Sequence, residues 1–286
     1  MQLRKATRKK AKIRLGLSAV SGGGKTYSAI LVAKGLCGDL SRVAVIDTEN
    51  GSADLYAHLG EYNVLPLTPP FAPERYIEAI RACEKAGMEV IIIDSISHEW
   101  DGKGGCLEIV ESLGGKYQDW AKVTPRHQAF LEAILHSPCH VITTVRRKQD
   151  YEMVKEGNKV KVEKAGLKEV TREGFEYELT INLEMDTNHM ATASKDRTNL
   201  FMGKPAFLPS EKTGEIIAQW CEQGEEEFNV VKPGSEWYEK VELCSTQKEL
   251  VELYQRNKAE VDANPLLQQI IANRRNQING KTLNAA

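Results

Sequence analysis

The sequence predicts an α/β fold with a mainly parallel central sheet, and two features of the chain predict it. Short apolar runs typical of strands alternate with segments of helical periodicity, beginning with residues 13–19, 26–36 and 43–47. Residues 90–94 form a continuous β-branched run, which is typical of a central strand buried on both faces. Strands that alternate with helices in this way are usually parallel, because each helix carries the chain back across the sheet.

The later elements extend this pattern. Helices are predicted at residues 73–86 and 125–135, and each precedes a strand, the second at residues 140–145. Apolar and polar side chains alternate over residues 177–185, and a turn and a returning strand follow, so we expect an antiparallel hairpin at the edge of the sheet. Residues 146–172 are polar and rich in lysine, which predicts a mobile loop.

The chain divides into three parts on composition. We expect a main α/β core over residues 1–224 with a basic N-terminal segment, a linker over residues 225–240, and a small helical module over residues 241–286. In the module, Thr246 and Glu249 form a capping box, and Asn264 precedes Pro265 as a cap residue precedes a helix. Two packed helices are predicted, with Leu250, Leu253 and Tyr254 against Leu266, Leu267, Ile270 and Ile271.

Composition limits the function and the location of the chain. The 38 basic and 40 acidic residues give a formal net charge of −2, which excludes a globally basic nucleic-acid binder and leaves only local patches. No apolar run approaches the roughly 20 residues that span a bilayer, so no membrane partner is expected. The six cysteines are scattered and no signal segment begins the chain, which predicts a cytoplasmic location. One basic patch contains Arg4, Lys5, Arg8, Lys9, Lys10, Lys12 and Arg14.

A glycine-rich loop joins the first predicted strand to the first predicted helix. Residues 19–26 fit the Walker A pattern, with alanine at the first position where glycine is commoner. Such a loop aims backbone N–H groups at phosphates, and the helix adds the positive end of its dipole. We expect Lys25 to reach the phosphates of ATP and the Thr26 hydroxyl to bind Mg²⁺. The nucleotide-binding residues predicted here are Ser21, Gly22, Gly23, Gly24, Lys25 and Thr26.

Two acidic residues follow predicted strands at the sheet edge where ligands bind in open α/β folds. Asp94 ends the most apolar strand, at the Walker B position, and is expected to hold Mg²⁺ together with Thr26. Glu49 is the predicted catalytic residue that orients or deprotonates the attacking water. Asp47 is the alternative for that role, and a plain surface carboxylate is the alternative interpretation of Glu49.

The order and spacing of these residues resemble RecA-type recombinases. The matching features are residues 46–49, Tyr56 seven residues beyond Glu49, and the strand that ends in Asp94 and Ser95. This resemblance implies a RecA-like P-loop NTPase fold in which Glu49 is catalytic and Tyr56 stacks on adenine. Residues 94–100 resemble bacteriophage-encoded RecA-like ATPases, which are often described as AAA-type or nucleotide-binding proteins, and the likeness covers roughly residues 3–220.

Lys195 and Arg197 resemble the K-x-R finger of RecA-like hexameric helicases and RadA-like proteins. In those families the two cations enter the ATP site of the neighbouring subunit and stabilise charge on the phosphates. The resemblance implies a catalytic role in trans and self-association into a ring or filament. The alternative is an exposed basic strand end.

In RecA relatives, the segments after Walker B and after the next strand line the DNA. Here these are residues 97–121, which include Trp100 close to His98, and residues 146–172, which carry nine basic and five acidic residues. Tyr151 offers a ring for base stacking, although a solvated loop is the alternative interpretation. Thr143 and Thr144, at the end of the preceding strand, are expected to approach the γ-phosphate.

The motifs together predict Mg²⁺-dependent ATP hydrolysis coupled to single-stranded DNA binding in phage recombination, annealing or replication. Phage or host replication and recombination proteins are expected partners. Two other functions stay open: a nucleotide-switched interaction protein that recruits partners through its C-terminal helices without DNA, and a helicase or packaging motor that translocates on duplex DNA.

Overall fold

The computed structural model describes residues 10–156, 159–224, 236–263 and 265–283. Residues Lys10–Gly224 form one compact unit, and the helices from Glu236 onward are described separately below. The strands of the unit are β1 (Arg14–Ala19), β2 (Val43–Asp47), β3 (Asn63–Pro66), β4 (Val90–Asp94), β5 (His140–Glu156), β6 (Lys159–Glu169), β7 (Ile181–Met185) and β8 (Ala191–Asp196). Its helices are α1 (Lys25–Cys37), α2 (Pro73–Lys85), α3 (Ser97–Asp101), α4 (Cys106–Ser112), α5 (Trp120–Leu135), α6 (Phe175–Glu178) and α7 (Glu211–Glu222). Short 3₁₀ helices occupy Leu40–Arg42, Ser52–Leu59 and Tyr117–Asp119.

The central sheet has the strand order β3-β2-β4-β5-β1-β7-β8. All neighbours in this order are parallel except β7 and β8, which form an antiparallel hairpin at one edge. The predicted α/β class, the mainly parallel sheet and the edge hairpin are therefore confirmed. In the register of β2 with β4, Asp47 lies opposite Asp94, so the acidic ends of these strands lie side by side.

Both faces of the sheet are buried, which explains the continuous apolar strand at β4. Val90 and Ile92 belong to a core cluster that also contains residues of α1 and α7, whereas Ile91 and Ile93 belong to a second cluster with residues of α2 and α5. Because successive side chains of a strand point to opposite faces, a strand covered on both sides needs apolar residues at every position.

Residues 146–172 are not the mobile loop that their polarity predicts. Strand β5 continues beyond the sheet to Glu156 and pairs in antiparallel register with β6, from Arg147 opposite Glu169 onward, with a bulge at Asp150. Valines alternate with lysines at residues 159–162, and this period of two is the strand signal that the high lysine content obscured. The side chains of residues 151–165, including Tyr151, lie outside the described part of the chain.

Other boundaries also differ from the prediction. Residues 177–179 are not strand, because α6 ends at Glu178 and β7 begins only at Ile181. Helix α5 begins at Trp120 and contains Pro125, which the sequence placed at the helix start because proline favours that position. Arg14 was assigned to a basic surface patch, yet its guanidinium is buried and donates to the backbone carbonyls of Ile13, Leu135, Ser137 and Cys139. Residues 1–9 of that patch lie outside the described residues.

The C-terminal helices are α8 (Glu236–Leu243), α9 (Gln247–Arg256), α10 (Lys258–Ala263) and α11 (Pro265–Leu283). The capping box is present, because Thr246 Oγ1 accepts from the Glu249 backbone N–H and the Glu249 carboxylate accepts from the Thr246 N–H. Leu250, Leu253, Ile270 and Ile271 share a small core with residues of α8, so the module has more helices than the two predicted. Residues 236–240 are helical rather than linker, and residues 225–235 and Asn264 lie outside the described part.

None of the helices in the described ranges is both long and apolar enough to cross a membrane.

Candidate functional site

The loop between β1 and α1 is shaped by two glycines in a backbone conformation that strains other residues. Gly22 and Gly24 have φ angles of 78° and 79°, in the left-handed region that L side chains rarely adopt. A Cβ at Gly24 would lie 2.8 Å from Nδ1 of His189, a residue of the turn between β7 and β8. The loop therefore needs its glycines both for its backbone conformation and for the close approach of this turn.

Lys25 begins α1 and folds back over the loop. Its Nζ donates to the carbonyl oxygens of Ala19, at 3.2 Å, and Val20, at 3.0 Å. Burial lowers the pKa of Lys25, and the nearby carboxylates of Asp94 and Glu49 oppose that shift. A half-buried ammonium that is satisfied only by carbonyl oxygens is placed to exchange these partners for anionic phosphate oxygens.

Thr26 and Asp94 meet as a magnesium pair requires. The Thr26 hydroxyl donates to Asp94 Oδ2 at 2.6 Å, and the Thr144 hydroxyl donates to Oδ1 at 2.5 Å. Asp94 is only 2% exposed, and burial raises its pKa although both hydroxyl hydrogen bonds oppose the shift. A buried carboxylate that accepts from two threonine hydroxyls, and from no basic side chain among the described residues, fits the hard oxygen donor set of Mg²⁺. Thr144 thus contacts Asp94, whereas Thr143 donates to the Leu15 carbonyl.

A pocket of about 570 Å³ opens beside this loop. Tyr56 lines it from the 3₁₀ helix Ser52–Leu59, and Tyr27 lines it from α1, with the two rings edge to face at 5.7 Å. Two aromatic rings beside the loop could hold a planar base between or against them, and the adenine-stacking role of Tyr56 stays a prediction. The described residues that line the pocket are Gly22, Gly24, Lys25, Thr26, Tyr27, Ser28, Leu31, Tyr56, His189, Leu208, Pro209 and Ser210. The exposed Ser21 belongs to the loop without lining the pocket.

A family model described as an AAA domain matches residues 11–215, which include the whole site and most of the compact unit. The chain belongs to the AAA domain family. This assigns the site to a P-loop NTPase-type domain that binds nucleotide. A search of curated proteins finds no match to the chain.

Glu49 of the AAA domain lies beside Asp94 but is held by other groups. Arg146 donates to both of its carboxylate oxygens, with Nε at 2.9 Å from Oε1 and a second, shorter contact from Nη2 to Oε2. Ser95 Oγ donates to Oε1 at 3.0 Å. Burial raises the pKa of Glu49, but the hydrogen bonds and charge of Arg146 outweigh it and the net shift is downward. Glu49 is therefore ionised, with both oxygens occupied.

Asp47, the alternative catalytic residue, is bound within its own loop. Its carboxylate accepts from the backbone N–H groups of Glu49, at 2.6 Å, and Ala53, at 3.3 Å, and the residue is 3% exposed. These bonds shape the turn that carries Glu49. The geometry thus gives Asp47 a positioning role and leaves Glu49 as the carboxylate nearer to solvent.

Lys195 and Arg197 lie at and just beyond the end of the edge strand β8. Lys195 Nζ and Arg197 Nη2 both donate to the backbone carbonyl of Tyr177, the latter at 2.8 Å. The two cations are thus neighbours, although β8 ends at Asp196 and does not include Arg197. Neither is among the described residues that line the nucleotide pocket of the same AAA domain.

An aromatic pocket of about 580 Å³ lies where the two predicted DNA-lining segments meet. Trp100 and Trp120 stack at 5.4 Å, and the Arg172 guanidinium lies 5.9 Å from the Trp120 ring. Tyr117 is 94% exposed at the rim. His98 does not line this pocket, because it stacks on Phe71 and contacts the Thr48 hydroxyl.

Several residues of these sites were missed by sequence reasoning. His189 lies beside the phosphate loop, but no local pattern marks it, because the hairpin turn reaches the loop only through tertiary packing. Tyr27 lines the pocket from α1, and no local pattern marks it either. Trp120 lies within residues 97–121, the first predicted DNA-lining segment, but no sequence signal singled it out. Arg146 was counted as a loop cation, and only the parallel pairing of β5 beside β4 brings it to Glu49.

Proposed function

We propose that this protein is a Mg²⁺-dependent ATPase whose hydrolysis is coupled to single-stranded DNA binding. Recombination, annealing or replication would use such an activity, as in the phage-encoded RecA-like ATPases that its motifs resemble. Self-association into a ring or filament, with Lys195 and Arg197 acting in trans, belongs to the same proposal. The observation that carries the DNA half is the aromatic and cationic pocket of Trp100, Tyr117, Trp120 and Arg172.

The hydrolysis half rests on the residues around the phosphate loop. Lys25 and the loop amides would bind the phosphates, and Thr26 and Asp94 would hold Mg²⁺. When bound, the ion supplies charge neutralisation at the phosphate oxygens. Glu49, once released from Arg146, would accept a proton from water or orient it. Tyr56 and Tyr27 would hold the base.

The DNA half rests on what the pocket offers. Single-strand binders combine aromatic rings, on which bases stack, with cations that follow the phosphate backbone. Here Trp100, Tyr117 and Trp120 provide rings, and Arg172 provides a cation at the Trp120 face. Lys116 and Lys122, which flank the pocket residues 117–121 in the sequence, are exposed. The pocket is open and partly apolar, which suits an unstacked base better than a duplex.

Contacts also connect the pocket region to Glu49. The backbone N–H of Arg146 donates to Ser97 Oγ on α3, and Lys148 forms an ion pair with Asp101 at the other end of α3. Arg146 and Lys148 belong to β5, and Trp100 belongs to α3. A polyanion bound beside α3 would therefore compete for Arg146, which holds Glu49, and for Lys148, which holds α3. Release of Glu49 in this way provides a physical basis for DNA-stimulated hydrolysis.

The first experiment is steady-state ATPase with and without single-stranded DNA, at low and moderate salt. The proposal predicts stimulation that weakens steeply with added salt, because phosphate contacts release counterions. Glu49→Gln should keep ATP binding and lose at least about 100-fold in turnover, the low end of what a general base contributes. Lys25→Ala should instead lose ATP binding itself. Hydrolysis that depends on Glu49 and ignores DNA would favour the nucleotide-switched interaction protein.

Tyr117→Ala tests the pocket directly, because a side chain this exposed contributes little to folding. Single-stranded DNA affinity should fall roughly tenfold, since stacking of one base contributes about 1–3 kcal/mol. Tyr177→Ala, another exposed tyrosine of the same unit, is the matched control and should leave the affinity unchanged. If wild type and Tyr117→Ala bind single-stranded DNA with equal affinity, the pocket is not the DNA-binding site. If wild type binds duplex DNA more tightly than single-stranded DNA, the helicase or packaging motor is favoured.

A further inference from the structure

Three side chains of different chemistry meet in a buried group that lines neither the nucleotide pocket nor the aromatic pocket. We call Glu99, Cys106 and His127 the Glu99 cluster; they lie on α3, α4 and α5. Cys106 Sγ lies 3.0 Å from Glu99 Oε1, and His127 Nδ1 lies 3.0 Å from the same oxygen and 3.1 Å from Oε2. All three residues are at least 98% buried. One carboxylate oxygen is thus shared by a thiol and an imidazole inside the protein.

Hydrogen bonds alone do not satisfy this group. A neutral imidazole has one N–H and one lone pair. With the proton on Nδ1, facing Glu99, the Nε2 lone pair of His127 has no partner among the described residues. With the proton on Nε2, the Nδ1 lone pair faces a carboxylate oxygen, and it has a donor only if Glu99 is itself protonated. In either tautomer the buried Nε2 atom of His127 has no partner among the described residues, which costs about 1–3 kcal/mol.

The charges of the cluster also favour a bound cation. A protonated His127 would balance an ionised Glu99, but its Nε2–H would then have no acceptor among the described residues. An ionised Glu99 carries one negative charge in an apolar surrounding that includes Val110, Val123 and the Trp100 ring, 5.7 Å from the His127 ring. The described hydrogen bonds and ion pairs give Glu99 no lysine or arginine. A divalent cation bound by one carboxylate, one thiolate and one neutral imidazole would have no net charge, and a neutral group is far less costly to bury.

We propose that Glu99, Cys106 and His127 bind a Zn²⁺ ion. Zn²⁺ is the divalent cation that takes carboxylate oxygen, thiolate sulfur and imidazole nitrogen together. One ligand atom from each residue lies within 4.8 Å of the other two, as atoms about 2.0–2.3 Å from a common ion must. Binding would release the Cys106 thiol proton to solvent, and a water molecule would take the fourth position of the tetrahedron.

The ion would connect the two short helices α3 and α4 to α5, which is anchored in the main core. Glu99 and Cys106 are connected by a glycine-rich stretch, residues 102–105, and among the described residues α4 packs in a small core through Cys106, Val110 and neighbouring apolar side chains. His127 lies on the helix that begins with Trp120. A Zn²⁺ ion here would therefore hold Trp100 and Trp120 in their stacked arrangement. The site does not depend on nucleotide binding or on the function proposed above.

The test uses the full chain, purified without chelator, and measures zinc by mass spectrometry. We expect one Zn²⁺ per chain, and we expect Co²⁺ added to metal-free protein to give a thiolate-to-cobalt charge-transfer band. The oxygen ligands at Asp94 and Thr26 cannot give that band, so the two cation sites are distinguished. Metal-free wild type that gains neither zinc on dialysis nor the cobalt band would overturn the proposal without any variant.

Variants identify the ligands. Cys106→Ser and His127→Gln should lose the bound zinc, and Cys106→Ser should also lose the cobalt band, with circular dichroism reporting whether each variant folds. Cys83→Ala removes another buried cysteine from the main core and should keep both signals. If Cys106→Ser holds as much zinc as wild type, the metal lies elsewhere and the cluster is a hydrogen-bonded core group.

Discussion

Glu49 faces a guanidinium in this structure, and that contact determines what the residue can do. A carboxylate whose two oxygens accept from Arg146 and Ser95 has little capacity left to accept a proton from water. The downward pKa shift of Glu49 further weakens it as a base. At the scale of single residues, the contacts with Arg146 and Ser95 thus oppose the catalytic role proposed for Glu49.

Arg146→Ala should therefore raise hydrolysis in the absence of DNA. Without Arg146, burial dominates and the pKa of Glu49 rises, so Glu49 is lost as a base at a higher pH than in wild type. We expect the acid limb of the pH–rate profile, measured as phosphate release with ATP alone, to move to higher pH, and turnover above it to increase several-fold.

Arg147→Ala is the matched control, because the adjacent arginine pairs with Glu184 and not with Glu49. It should leave both the acid limb and the rate unchanged. If Arg146→Ala instead abolishes turnover as Glu49→Gln does, Arg146 acts on the phosphates in the active state, and its contact with Glu49 is not inhibitory.

Among the elements, α1 and α7 approach one another through two glycines. A Cβ at Gly214 would lie 2.1 Å from the Val32 carbonyl oxygen, and one at Gly35 would lie 1.9 Å from the Glu211 carbonyl oxygen. Both obstacles are backbone atoms, which cannot turn aside as a side chain can. Since α1 carries Lys25 and Thr26, this contact also fixes the helix that begins at the phosphate site.

Gly214→Ala should lower the free energy of unfolding by about 1–3 kcal/mol, the usual cost of overpacking a close-packed core. Urea unfolding followed by circular dichroism measures the change. Gln219→Ala on the exposed side of α7 should have almost no effect. Unchanged stability of Gly214→Ala would mean that α7 can move away from α1 at little cost.

Elements with their own periodicity were predicted from the sequence, and those that depend on partners were not. Strand β4 and helix α2 carry complete local signals, so their predicted positions agree with the structure. The short strand β3 has only four residues and forms because β2 offers it an edge, and α3 is a five-residue helix held by packing. The same distinction applies to the site: Lys25, Thr26 and Asp94 follow a sequence motif, whereas Arg146 and His189 reach it only through the folded sheet.

At the scale of the whole molecule, the role in trans proposed for Lys195 and Arg197 requires assembly of several chains. They are held by the Tyr177 carbonyl at the edge hairpin and do not line the nucleotide pocket of their own chain in the described residues. If they act in trans, turnover per chain should rise with protein concentration, because only assembled chains have complete sites.

Arg197→Ala should leave ATP binding nearly intact and remove this concentration dependence along with most of the turnover. Lys204→Ala, at an exposed lysine in the segment after β8, should retain both. Light scattering alongside the rate measurement separates failure to assemble from failure to catalyse. Full ATP turnover by dilute monomers would exclude a catalytic role in trans for Lys195 and Arg197.

Strand β5 has a mechanical consequence for the molecule. It is one continuous strand of 17 residues whose first part is clamped between β4 and β1 and whose last part projects with β6. Thr144, which bonds Asp94, and Arg146, which bonds Glu49, lie only two positions apart on it. From Arg146 to the bulge at Asp150 the strand is regular. A displacement of its projecting part would therefore be transmitted to the part that is held in the sheet. A pull on the projecting arm would reach Asp94 and Glu49, the proposed magnesium ligand and the proposed catalytic base, at the same time.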